Sequence, residues 1–196
     1  GEQNITYKCC SNFLIHLFTV MLLEFKVPQS VELSALIDQL HLIFSYILSF
    51  IYIGIYWNNH HHLFKVVKQI NGTLLWVNLH LMFWLTMVPF STTWMASSGY
   101  AAIPTATYAF ILFMCSLSYR FLERMIVRFE GEHSVASKLL DNDLKLFFSM
   151  ILYGVSIFLS FVNTSLTVIT LMILAALWFK PNPKVEKYFL KLKIKQ

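Results

Sequence analysis

Charge is scarce in this chain. Its 196 residues include 10 Asp and Glu, and charged residues of both signs make up 13%. A soluble domain carries about a quarter charged residues, so the composition argues against one. Acidic side chains are absent from the interiors of the long apolar stretches, and no nucleophile–base arrangement stands out. The chain therefore reads as a non-enzyme. Cysteine is nearly absent too, with Cys9, Cys10 and Cys115 the full set of 3. No Cys-x-x-Cys spacing occurs, so neither a zinc site nor a disulfide framework is indicated. The first residues lack the basic start and small-residue cleavage site of a secretory leader, which points to a retained first helix. Internal repeats and low-complexity runs are not evident.

What fills the chain is apolar sequence. Hydrophobic residues make up 57%, with 18 Phe. Six apolar stretches are expected at about 9–27, 36–57, 73–90, 101–121, 146–162 and 166–179, with a charged connector over about 122–145. Spans of about 20 residues suit a bilayer crossing, and six of them use most of the chain. One transmembrane domain over 1–196 is the expectation. Lipid-exposed strands would leave backbone groups unpaired, so the spans must be helices. The fold class is an all-α membrane protein with six transmembrane helices.

Numbering the gaps between spans divides the cations unevenly. Lys8, Lys65, Lys68, Arg120, Arg124, Arg128, Lys138, Lys145, Lys180, Lys184, Lys187, Lys191, Lys193 and Lys195 fall on one face. The other face has only Lys26, with Glu24, Glu32 and Asp38 near it. Cytoplasmic segments collect Lys and Arg, so both termini are expected in the cytoplasm of a multi-pass protein. The net charge of +5 is then an attraction for anionic lipid, not a nucleic-acid footprint.

Polar residues inside the spans are the candidates for function. In span 1, Asn12, His16, Thr19, Val20 and Leu23 share one helical face. A mid-membrane His is expensive and tends to face a bundle interior or a water-filled path. His16 has three readings: a bond to a neighbouring helix, a pore-facing ring, or a metal or haem ligand. Span 2 ends in Trp57-Asn58-Asn59-His60-His61-His62. Three consecutive His residues point in three directions on a helix and cannot chelate one ion together. A cluster favoured by the C-terminal dipole and a structural or gating network are the two leading readings. Asn78 and His80 lie in span 3, where a hydrogen bond between helices is the default for Asn78. Ser98-Gly99-Tyr100 looks like a fragment of a carbonyl potassium filter, but the preceding Thr-Val-Gly is missing and the match is treated as chance. Asn163-Thr164-Ser165 matches a glycosylation sequon in a tight turn, too close to the bilayer to be used.

Several segments together resemble one family. They are Ser45 to Phe64, with its Tyr46-x-x-Ser49-Phe50 and Trp57-x-x-His60-His61; Leu22-Leu23-Glu24-Phe25-Lys26-Val27-Pro28; Asn78 with Leu81 and Met87-Val88-Pro89-Phe90; and Trp178-Phe179-Lys180-Pro181. The chain resembles prokaryotic members of the transmembrane protein 175 family, the endosomal-lysosomal potassium channels. The resemblance implies a homotetramer with helix 1 lining the pore. It implies a constriction of bulky apolar side chains with a Thr layer, and K⁺ as the permeant ion with no cofactor. Counting back from Leu-Glu-Phe-Lys-Val-Pro places the pore positions on His16, Thr19, Val20 and Leu23. It places a structural or gating network on Tyr46, Ser49, Phe50, Trp57, His60, His61 and Asn78. One signature departs from the family. Its Arg-x-x-x-Phe-Ser-Asp at the start of helix 1 is replaced here by Ile5, Cys9, Cys10 and Ser11, and the first pore layer, normally Ile or Leu, is His16.

The expectation is thus a potassium-permeable channel subunit in the cell membrane. Competing classes are a small secondary transporter, a haem or metal protein using pairs among His16, His41, His80 and the His60 cluster, and a non-conducting structural relative. A transporter would show broken helices or inverted repeats, which the sequence lacks.

Overall fold

The computed structural model describes residues 12–13, 16–23, 37, 39–65, 67, 70–131, 134–140 and 144–179. Among them every regular element is a helix. The leading helix, α1, is described over residues 16–23. It is followed by α2 (Leu40–Lys65), α3 (Gly72–Ser97), α4 (Ala102–Glu130), the short α5 (Val135–Leu140), α6 (Leu144–Leu159) and α7 (Thr164–Phe179). Residues 5–11, Glu24, Lys26 and the lysines from Lys180 onward lie outside the described residues.

Three of these helices, α2, α3 and α4, are long and apolar enough to cross a membrane. At 1.5 Å per residue, the 26 residues of α2 and of α3 span about 39 Å, more than the hydrocarbon core. The 16-residue α6 and α7 reach about 24 Å each. Helices apolar on all sides are buried in a bundle or in lipid, and both environments are needed here. Core side chains such as Leu81, Leu112 and Leu171 are wholly buried, while Trp76, Phe83 and Phe158 stand exposed.

Chain breaks follow local chemistry. Asn71 caps α3, its side-chain oxygen accepting from Leu74 N at 2.8 Å, which satisfies one orphan donor of the first turn. Asn163 does the same for α7 through Leu166 N at 3.2 Å, so the sequon asparagine serves as a helix cap. Gly131 ends α4 at φ 89° and ψ 159°, a region essentially restricted to glycine. The Ser98-Gly99-Tyr100 triplet is the stop of α3. Gly99 and Tyr100 adopt φ 63° and 61°, and Tyr100 N returns to Met95 O at 3.1 Å. The Tyr100 hydroxyl then donates to His41 O at 2.9 Å, pinning the turn to the start of α2.

Two helices run further than their apolar stretches suggest. α3 continues through Pro89 for two more turns. Proline removes the backbone donor that would reach Leu85 O, while hydroxyls nearby bond other carbonyls of the same helix: Thr86 donates to Phe83 O at 2.6 Å, Ser91 to Val88 O at 3.0 Å and Thr92 to Val88 O at 2.7 Å. α4 continues into the charged stretch as far as Glu130. Leu122, Glu123 and Ile126 are buried on the inner face, and Leu139 and Leu146 close over the core from beyond it. Mixed charge on the outer face masked an apolar repeat on the inner one.

Packing is centred on α4, which contacts α3, α5, α6 and α7; α2 lies against α3 and α7, and α6 pairs with α7. α1 joins through Leu17 and Met21, both in the core, and through Phe18, whose ring sits 4.8 Å from that of Phe50 on α2.

Candidate functional site

The residues singled out from sequence divide into two groups. The first is on α1. Successive helical residues advance 100°, so Leu17 and Met21 share one face while His16, Thr19, Val20 and Leu23 share another. Leu17 and Met21 are 4% and 2% exposed, whereas Val20 and Leu23 are 44% and 80% exposed. His16, Thr19 and Asn12 are exposed as well. The face carrying imidazole, hydroxyl and aliphatic groups is left uncovered by the chain's own helices. His16 and Leu23 are two turns apart, about 10 Å along the axis.

The second group lies on α2 and its neighbours. His60 is buried, and its Nε2–H donates to Asn78 Oδ1 on α3 at 2.8 Å. The carbonyl oxygen can only accept, so this bond fixes the proton on Nε2. The His60 ring also packs on Phe64, 4.5 Å between centroids. Trp57 and His61 are ring neighbours at 5.9 Å, and His61 meets His62 edge-on at 5.5 Å. At the other end, Tyr46 stacks on Phe50 at 6.5 Å, and Phe50 in turn meets Phe18 of α1. Phe50 thus ties α2 to α1 at one end of the helix, and His60 ties it to α3 at the other.

Ser49 connects three helices. Its Oγ is 2.6 Å from Thr92 Oγ1 and 2.8 Å from the Tyr108 hydroxyl. Thr92 commits its proton to Val88 O. With one proton per hydroxyl, the order is Tyr108 to Ser49 to Thr92 to Val88 O, a chain running from α4 through α2 into α3. Sequence reasoning named Ser49 but missed Thr92 and Tyr108. Thr92 lies past Phe90, where span 3 was expected to stop, and Tyr108 is an ordinary aromatic in an apolar helix. A search for hydroxyls beyond Pro89 would have found the first.

His80 has a separate setting. Trp84 Nε1–H donates to its Nε2 at 3.2 Å, so the other nitrogen, Nδ1, carries the proton toward Ser118 Oγ at 2.9 Å. Ser118 passes its own proton to Met114 O at 2.7 Å. The histidines are thus spread over different helices. Among the described residues no group of three or more His, Cys, Asp or Glu is placed to hold a metal ion.

Long apolar helices, buried inter-helix hydroxyl chains and outward aromatic side chains define an all-helical membrane protein. Comparison with known proteins narrows this. The family model of the endosomal/lysosomal potassium channel TMEM175 matches residues 15–89. A potassium channel of Chryseobacterium sp. (strain P1-3) is 42% identical over 171 residues, covering 87% of this chain and 89% of the relative. A potassium channel of Streptomyces collinus is 27% identical over 112 residues, 53% of this chain and 54% of that one. The crystal structure of a lysosomal potassium-selective channel TMEM175 homolog from Chamaesiphon minutus superposes with a TM-score of 0.79 at 25% identity. It covers 90% of this chain and 96% of the other. The chain belongs to the TMEM175 potassium channel family.

Proposed function

We propose that the chain is one subunit of a homotetrameric potassium channel of the cell membrane, with six membrane-crossing helices and both termini cytoplasmic. Copies of α1 surround the conduction path, with His16, Thr19, Val20 and Leu23 facing it. One observation carries this reading: the α1 face bearing these four residues is exposed in the subunit, while Leu17 and Met21 anchor the opposite side in the core. Family membership supports the class of activity, and the one-sided distribution of Lys and Arg supports the orientation.

In this arrangement Val20 and Leu23 form an apolar constriction, which gates by dewetting and by side-chain size. Thr19 offers a hydroxyl to a partly dehydrated cation. His16 adds a ring of imidazoles at the level below. The network of Tyr46, Ser49, Phe50, Trp57, His60, His61 and Asn78 holds α2 behind α1 and sets the position of the lining helix. No chemical step is involved, and K⁺ is cargo.

The test is a reversal potential in purified, reconstituted channels under opposed K⁺ and Na⁺ gradients. A potential that follows the K⁺ gradient is expected. Vesicles that carry no voltage-driven current would refute a channel, and a reversal potential indifferent to both cations would refute the permeant ion.

A further inference from the structure

Between α2, α4, α6 and α7 lies a cavity of about 20 Å³, walled by Tyr52, Tyr56, Asn59, Ser116, Tyr153 and Trp178 among others. It is separate from the α1 face and from the His60–Asn78 and Ser49 bonds. Most polar groups on its wall are already engaged. The Tyr52 hydroxyl donates to Leu171 O at 2.6 Å, Trp178 Nε1 to Ser149 Oγ at 2.8 Å and Asn59 Nδ2 to Ile55 O at 2.8 Å.

Ser116 is different. Its Oγ is buried and makes no hydrogen bond of ordinary geometry among the described residues; the Tyr56 hydroxyl is the polar group that faces it across the cavity. Helical serines elsewhere in this bundle give their proton back to the carbonyl four residues earlier: Ser118 to Met114, Ser149 to Lys145, Ser156 to Leu152. Ser116 does not return to Leu112 O, and its side chain lies on the cavity wall instead. Leaving a hydroxyl buried and unpaired is costly, and a polar cavity that admits a water normally contains one. One water needs about 10–15 Å³ on this scale together with two to four polar partners. The space suffices for one, and Ser116, Tyr56 and Asn59 supply the polar wall.

We propose that this cavity is a binding site for a single ordered water, held by Ser116 Oγ and bridging α4 to the polar face of α2. It completes the hydrogen bonding of a seam where four helices meet. It also gives the Tyr52–Tyr56–Asn59 side of α2 a fixed anchor beside the face that meets α3.

A structure of the full chain in lipid, at a resolution that shows ordered waters, tests it together with thermal unfolding of Ser116→Ala and, as control, Ser156→Ala. One compact density peak within hydrogen-bond distance of Ser116 Oγ is expected, with a lower unfolding midpoint for Ser116→Ala than for the control. An empty cavity, or density extended like an acyl chain or detergent, overturns the site. A midpoint that is unchanged or raised in Ser116→Ala overturns the bridging role, because deleting a hydroxyl that faces a void relieves a penalty instead of breaking a bond.

Discussion

Asn78 Oδ1 accepts from His60 Nε2, and its replacement should be felt at the imidazole. Asn78→Leu leaves a buried N–H unpaired, a loss of about 1–3 kcal/mol. Denaturant unfolding of detergent-solubilised protein checks this, and a double-mutant cycle with His60→Leu should recover part of the cost. The Ser49 chain gives an ordering. Tyr108→Phe removes one terminal donor and should cost about 1 kcal/mol. Ser49→Ala strands both the Tyr108 donor and the Thr92 acceptor and should cost more. Equal effects in the same unfolding assay would dismiss the directional chain. Residue identity made His60, Asn78 and Ser49 legible in advance, because polar groups inside apolar helices need partners. It did not reveal the partners Thr92 and Tyr108, because contact between helices is a property of packing and not of spacing along one of them.

Helix ends carry the next level of information. Gly131 closes α4 at a backbone geometry that side chains resist. Gly131→Ala should therefore destabilise by about 1–3 kcal/mol even though no atom lies within 4 Å of the added Cβ. An unfolding midpoint equal to wild type would show that this turn relaxes freely. Existence of the long helices was readable from the apolar runs alone. Their ends were not. Span 3 is expected to end at about Phe90, just past Pro89, yet α3 runs on to Ser97. The charged stretch after Phe121 reads as solvated, yet Leu122, Glu123 and Ile126 keep an inner face buried. Helices apolar all round also give no amphipathic signal, so which side meets protein and which meets lipid had to come from the three-dimensional arrangement. α1 is the exception, since its polar residues lie on one face and Leu17 and Met21 lie on the other.

At the scale of the whole molecule, one uncovered surface of the subunit calls for an assembly. A single subunit leaves Thr19, Val20 and Leu23 of α1 uncovered, and the proposal is that symmetry-related copies turn that face toward a shared aqueous axis. The family assignment and the matching fold set the class of protein. The most direct measurement is current through reconstituted channels carrying Leu23→Cys or Leu17→Cys during exposure to a charged, water-soluble thiol reagent, with the unsubstituted chain as control for Cys9, Cys10 and Cys115. Rapid block of Leu23→Cys, with Leu17→Cys and the control unaffected, is the predicted result. Modification of Leu23→Cys that leaves the current unchanged, or block through Leu17→Cys instead, would contradict a pore lined by this face of α1.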